Sequence, residues 1–278
     1  MKLLAFAKLN LSLAILGRRA DGYHELLSVA QTIDLADEID IRRRTHGVFL
    51  ESDLGLPVEE DLAGRAATLL LSTKAGGGGT EIRIRKRIPV RAGLGGGSSD
   101  AAAVLWSLDG LIPPRLPKED LLSLAARLGS DVPLFLTGGR TRIAGRGERV
   151  TPLLSGKEER FVLLVPPIAC ATAEVYARFD RLPRAPRPAE APLGWNDLEW
   201  AALDLYPGLA PYREAVASLG AAYHGMSGAG STFFAVFDRD DRAAAAVAVL
   251  ESGCPKASVF LCRATARGQE EGNGADRD

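Results

Sequence analysis

Apolar and polar positions alternate at the start of the chain. Leu9, Leu11, Leu13 and Ile15 fall on one face of an extended segment and Lys8, Asn10 and Ser12 on the other. This period of two predicts a strand that presents a lysine ammonium beside an asparagine amide. Strands are likewise predicted over residues 28–41 and 46–52, with the arginine run 42–44 as a solvated connection between them. Alternation returns at residues 81–88, EIRIRKRI, where Ile82, Ile84 and Ile88 share a face and charges occupy the other. Alanine- and leucine-rich stretches at 59–72, 101–108 and 118–128 predict helices, the last one stopped by Gly129.

A composition shift follows residue 153. Residues 161–165, FVLLV, predict a buried strand, and 172–179, 196–203 and 209–219 predict helices. A glycine-rich turn at 224–231 leads into a strand at 232–237, an alanine-rich helix at 239–250 and a last strand at 257–262. The order predicts an α+β fold with antiparallel sheets, divided into a unit at 1–153 and a second at 154–267. Residues 76–79 read as a flexible connection, the Pro/Arg/Ala segment 181–192 as an extended surface loop, and 268–278 as a disordered tail.

Composition narrows the function classes. With 278 residues, 46% of them hydrophobic, the chain can bury a substantial core, and a net charge of −1 gives no reason to expect a nucleic acid or a membrane surface as partner. Cys170, Cys254 and Cys262 are odd in number and lack CxxC spacing, which disfavours both a disulfide framework and a zinc site. Lys8, Asn10 and Ser12 interrupt the apolar N-terminal run, so it does not read as a signal peptide, and the expected location is cytoplasmic. Composition leaves monomer and homodimer equally open.

The candidate chemistry centres on PVRAGLGGGSSD: Pro89, Val90, Arg91, Ala92, Gly93, Leu94, Gly95, Gly96, Gly97, Ser98, Ser99 and Asp100. Set between a strand and a helix, the four glycines let backbone N–H groups converge on an anion. Ser98, Ser99 and Asp100 are expected to cap the helix, whose positive end favours phosphate. A Walker A loop would need a lysine before its final hydroxyl residue, and a dinucleotide fingerprint begun at Gly93 would need a glycine where Ser98 stands. The loop therefore reads as a phosphate cradle of another kind.

Three further stretches add candidate groups. Tyr23 and His24, in the turn-rich GRRADGYHE, are expected on a loop where an aromatic face and an imidazole can meet a ring. Asp131, in LGSDVP, reads either as an N-cap or as a carboxylate that orients a substrate hydroxyl opposite Lys8. Arg146 is placed to meet an anionic or carbonyl group, and the second glycine turn, with Ser227, Gly228 and Gly230, suggests a cleft closed from both sides.

Taken together, AKLNL at Ala7 to Leu11, the loop from Pro89 to Ser99 and the turn from Met226 to Phe234 resemble the three motifs of the GHMP kinase superfamily. RADGYHEL from Arg19, GLGGGSSDAAA, LGSDVP and NDLE from Asn196 resemble its branch that acts on a cytidine-diphosphate-linked methylerythritol. The resemblance runs from the first residues to about Cys262. It implies two α+β domains, the first like domain 2 of ribosomal protein S5 and the second ferredoxin-like. It also implies ATP and Mg²⁺ as cofactors, with Pro89 to Ser99 binding ATP and Ser99 a metal contact. The implied reaction is phosphorylation of the acceptor's 2-hydroxyl in non-mevalonate isoprenoid biosynthesis. Lys8 and Asp131 match the catalytic pair; Asn10, Tyr23, His24, Thr172 and Tyr176 match substrate contacts. Arg91, Asp61 and Asp109 depart from the residues usual in the family, a small residue for the first and asparagine for the others. Other acceptors of the superfamily, homoserine, mevalonate or a sugar, remain open, although none offers a base to Tyr23 and His24. A nucleotide-binding module without chemistry is the third reading, and it needs neither Lys8 nor Asp131.

Overall fold

The computed structural model of the protein describes residues 1–74, 77–154, 158–183 and 191–265. The tail expected at 268–278, part of the 181–192 loop and part of the 76–79 connection lie outside the described residues.

Two long strands, β1 (Lys2–Arg18) and β2 (His24–Arg44), form an antiparallel ribbon that is the spine of the molecule. Because β2 has 21 residues, it can pair with β4 (Gly79–Arg85) through its C-terminal half and with β5 (Arg140–Gly145) through its N-terminal half. β3 (Gly47–Ser52) runs parallel to β4, and β6 (Arg149–Pro152) closes the other edge, giving the order β3-β4-β2-β5-β6 with β1 on β2. One face is covered by α1 (Leu62–Leu71), α2 (Gly96–Leu111), α3 (Lys118–Leu128) and α4 (Val132–Thr137). Their alanines and leucines bury Ile39, Ile41, Ile82 and Ile84.

A second sheet is antiparallel throughout and ordered β10-β7-β9-β8, with β7 (Arg160–Val165), β8 (Tyr223–Met226), β9 (Phe233–Phe237) and β10 (Ser258–Arg263). Helices α5 (Thr172–Phe179), α6 (Glu199–Leu205) and α7 (Ala210–Ala217) link β7 to β8, and α8 (Asp240–Gly253) links β9 to β10. This is a split βαβ arrangement. The two sheets share an apolar cluster in which Ala7, Leu9 and Leu11 of β1 meet Phe161, Leu163, Phe234 and Val236.

In that cluster β1 contributes its apolar residues Ala7, Leu9 and Leu11. Lys8 and Asn10 project from its other face side by side, as the alternation predicts, and with Ser12 they are 3%, 7% and 3% exposed. The arginine run, expected as a connection, is strand. Arg42, Arg43 and Arg44 continue β2 opposite Glu81, Thr80 and Gly79, and the Arg44–Glu81 ion pair at 3.0 Å favours that register. His24, expected on a loop, is the first residue of β2. Finally, α2 begins at Gly96, five residues before the predicted start at Ala101. Gly95 takes the N-cap position at φ 74° and accepts from the Ser99 amide at 2.9 Å, so Ser98, Ser99 and Asp100 stand inside the first turns rather than capping them.

Candidate active site

Between the sheets lies a cleft of about 940 Å³. One end is made by the phosphate loop. Arg91 adopts φ 55° and is exposed on the cleft wall, while Gly93 and Gly95 take φ 77° and 74°. Space also demands glycine at these two positions: a Cβ on Gly93 would stand 2.2 Å from the Ser227 carbonyl oxygen, and one on Gly95 would stand 2.7 Å from the Phe135 ring. The loop is held in place by the Lys8 amide donating to the Leu94 carbonyl at 3.0 Å and the Thr232 amide donating to the Ala92 carbonyl at 3.2 Å. The first amides of α2, at Gly96, Gly97 and Ser98, have no carbonyl four residues before them inside the helix, so they and the helix dipole face the cleft end.

Pro89 through Ser98 all line the cleft. Ser99 does not. It is fully buried under the first turn of α2, and its Oγ has no hydrogen-bond partner among the described residues. Helical geometry thus turns Ser98 to the cleft wall, while Ser99, expected at phosphate or metal, lies one layer beneath it with its hydroxyl unpartnered among the described residues.

At the centre of the cleft the two candidate catalytic groups meet. Nζ of Lys8 lies 3.5 Å from Oδ2 of Asp131 and also donates to Oδ1 of Asn10. Asp131 sits at the N-cap position of α4 yet makes no side-chain cap hydrogen bond, and its carboxylate remains 41% exposed to the cleft. A network fixes Asn10. Its Nδ2 donates to Ser28 Oγ at 2.9 Å, and its amide donates to Ser227 Oγ at 3.1 Å. Ser227 in turn donates to the Gly93 carbonyl at 2.9 Å, so the second glycine turn locks the phosphate loop to β1. Gly228 lines the cleft; Ser227 is buried beneath it, and the Gly230 carbonyl packs against Gly93. Asn196 supports the turn by donating to the Met226 and Gly228 carbonyls at 2.8 and 2.7 Å.

The far end is aromatic. The His24 ring lies 4.9 Å from that of Tyr176 and 6.3 Å from that of Phe179, and its Nε2 is 2.7 Å from Asp180 Oδ1. Tyr23 is 51% exposed, with the Arg146 guanidinium 5.0 Å above its ring. Thr172 opens α5 on the same wall. Burial, and after it the Asp131 carboxylate, push the Tyr176 phenol well above its ordinary range, which places Tyr176 within electrostatic reach of the central pair.

Two groups escaped the sequence reading. Lys86 lines the cleft and bridges two buried carboxylates, Asp37 Oδ2 at 2.5 Å and Asp100 Oδ2 at 2.6 Å. Burial opposes its charge, but Asp100 and Asp37 hold the ammonium above its usual pKa. Burial pushes Asp100 up to about 7, with Lys86 opposing and Asp37 reinforcing the shift. A signal existed, because Lys86 falls on the same alternating face as Ile82, Ile84 and Ile88, where a charge must find partners. Asp180 is the second, and it follows Tyr176 and Thr172 at four-residue steps on one helical face.

The departures at Asp61 and Asp109 find structural explanations. Asp61 caps α1 by accepting from the Ala63 amide at 2.8 Å, and Asp109 is buried against Lys74 Nζ at 2.6 Å. Neither lines the cleft.

Two sheets sharing a core, a glycine loop at a helix N-terminus and a lysine–aspartate pair between them define a two-domain, ATP-dependent small-molecule kinase. The GHMP kinases N terminal domain family matches residues 61–139, and the GHMP kinases C terminal family matches residues 188–256. A 4-diphosphocytidyl-2-C-methyl-D-erythritol kinase of Thiobacillus denitrificans is 40% identical over 243 residues, 85% of this chain and 86% of the relative. The kinase of the same name from Gloeobacter violaceus is 38% identical over 99% of both chains. A crystal structure of 4-(cytidine 5'-diphospho)-2C-methyl-D-erythritol kinase superposes with a TM-score of 0.81 at 36% identity, covering 96% of this chain and all of that one. Homoserine kinase from Cytophaga hutchinsonii shares the fold at a TM-score of 0.74 and 19% identity. The chain belongs to the 4-diphosphocytidyl-2-C-methyl-D-erythritol kinase family of the GHMP kinases.

Proposed function

We propose that this protein transfers the γ-phosphoryl group of ATP to the 2-hydroxyl of 4-diphosphocytidyl-2-C-methyl-D-erythritol, a step in making isoprenoid precursors by the non-mevalonate route. The observation that carries the reading is the co-location, in one cleft, of a phosphate cradle, the Lys8–Asp131 pair and the ring-binding cluster of Tyr23, His24 and Tyr176. A cytidine diphosphate acceptor needs all three. Homoserine, mevalonate and sugars have no base to place in the third.

The geometry supports the following chemistry. The ATP phosphates lie against the Gly96, Gly97 and Ser98 amides at the positive end of α2. The acceptor hydroxyl lies at the Asp131 carboxylate, which orients it in line with the γ-phosphorus. As the oxygen–phosphorus bond forms and the bond to the bridging β–γ oxygen breaks, the hydroxyl proton passes to Asp131 and ADP leaves. Lys8, held by Asn10, offsets negative charge on the transferring group and on Asp131. Such a transfer is loose, so positioning and charge contribute more than full proton abstraction. Thr172 and Asn10 line the path of the acceptor between base and hydroxyl.

Magnesium suits this donor set. The protein oxygens at the loop end and the centre of the cleft, Ser98 and Asp131, are hard donors of the kind magnesium takes alongside phosphate oxygens and water. When bound, it neutralises charge on the β- and γ-phosphates. No helix among the described residues is long and apolar enough to cross a membrane, and the buried free thiols of Cys170 and Cys262 suit a reducing compartment. Near-neutral net charge favours a small-molecule substrate over a nucleic acid partner.

The test is ADP release with Mg-ATP and one acceptor at a time. Turnover with the cytidine diphosphate methylerythritol acceptor alone is expected. Turnover only with homoserine, mevalonate or galactose would keep the kinase and remove the base site.

A further inference from the structure

Asp180 has no part in the chemistry just described, yet it touches the one imidazole in the cleft. The contact is short, 2.7 Å between Oδ1 and Nε2 of His24, and the two side chains are only 25% and 10% exposed. Tyr176 and Phe179 flank the ring at 4.9 and 6.3 Å between centroids. Arg18 lies 3.9 Å from the other Asp180 oxygen, and a carboxylate facing a ring nitrogen can only accept. The proton of a neutral His24 ring must therefore sit on Nε2. Nδ1 is left as a lone pair and has no hydrogen-bond partner among the described residues.

We infer that Asp180 is a specificity-determining positioning residue: by fixing the His24 tautomer it makes Nδ1 an acceptor, so the site takes a pyrimidine bearing an amine and rejects one bearing a carbonyl at the same position. This rests on the reading that His24 faces the base of the acceptor. Cytosine carries an exocyclic amine that donates to such a lone pair, whereas uracil presents a carbonyl oxygen that meets it acceptor to acceptor. With the ring neutral, as at pH 8, uracil could be accommodated only if the proton moved to Nδ1. That move would break the Nε2–H bond to Asp180 and set a second lone pair against a carboxylate, a cost that a site built around one polar pattern imposes on the wrong ligand. Without the carboxylate the two neutral tautomers differ little, and the ring can adapt to either base.

The experiment compares kcat/KM for the cytidine diphosphate acceptor and its uridine diphosphate analogue, at pH 8, in the wild type and in Asp180→Ala. The wild type is expected to prefer cytidine strongly. In the variant the preference should fall roughly tenfold or more, chiefly because the uridine analogue improves. A purely structural role would instead lower both values together, and that result overturns the inference. Nitrogen-15 NMR of His24 in the wild type is the independent readout: protonated Nε2 and bare Nδ1 are expected, and the opposite tautomer overturns the inference without any variant. If the wild type turns over neither nucleotide-linked acceptor, it is the proposed function that fails.

Discussion

Asp131 stands where an N-cap residue would stand, but its carboxylate turns to Lys8 and leaves α4 without a side-chain cap. A cap of that kind stabilises by about 1 kcal/mol, and forgoing it marks the position as one where another role outweighs helix stability. Asp100 shows the opposite balance. Two carboxylates and one ammonium share a buried space, and Asp37 holds the more favourable place because it also accepts from the Arg87 and Ile88 amides at 2.5 and 2.9 Å. Asp100 Oδ1 has no partner among the described residues, so its carboxyl is the one pushed up to about 7. A raised carboxyl pKa contributes stability that is fully present below the unfolded value near 4 and is lost as pH rises through about 7. The stability of the wild type relative to Asp100→Asn should therefore fall between pH 4 and pH 7 and level off above. Denaturant midpoints across that range measure it, and a constant difference contradicts the buried charge. Single residues were legible in the sequence where a motif framed them, as with Lys8, Asn10, Tyr23 and Asp131. Asp37, Asp100 and Lys86 were not read as a set, because 49 residues separate Asp37 from Lys86 and only the pairing of β2 with β4 brings them together.

At the level of elements, the phosphate loop is held by close backbone approach rather than by side chains. Gly93 and Gly97 illustrate the difference. A Cβ at Gly93 meets the Ser227 carbonyl at 2.2 Å with φ at 77°, whereas one at Gly97 has only Leu62 Cδ1 at 3.8 Å. Gly93→Ala should lower stability by about 2 kcal/mol or more, while Gly97→Ala, inside a helix, should be neutral or slightly stabilising. Urea unfolding of both variants checks this, and equal effects would contradict the interlock between the two glycine turns. Periodicity located most strands and helices, but their ends were less legible. The αL conformation of Gly95 starts α2 at Gly96, a choice that composition does not reveal. The arginine run looked like a solvated loop because charge suggested exposure. It is exposed and still strand, since an edge-ward ion pair with Glu81 suits an extended backbone. Likewise, β1 alternated correctly, but alternation alone cannot reveal that its apolar face meets a second sheet while Lys8 and Asn10 are buried at the cleft.

For the whole molecule, the decisive feature is that β1 belongs to both halves. Leu9 and Leu11 pack into the cluster between the sheets, Leu13 and Ile15 into the core of the second, and Leu13 forms a parallel bridge with Asn196. Lys8 and Asn10 thereby stand at the junction, facing the phosphate loop of one half and the glycine turn of the other. The aromatic end of the cleft also draws on both halves, with Tyr23 and His24 from the first and Thr172 and Tyr176 from the second. An acceptor long enough to reach from that end to Asp131 is what such a cleft fits. In the proposed reaction the γ-phosphoryl group crosses from the α2 terminus to a hydroxyl at Asp131. Phosphorus-31 NMR of Mg-ATP, the cytidine diphosphate acceptor and the enzyme tests it most directly. ADP and a new phosphomonoester should appear in equal amounts while the acceptor's diphosphate stays intact; ADP accompanied instead by inorganic phosphate, or a cleaved diphosphate, would contradict this transfer.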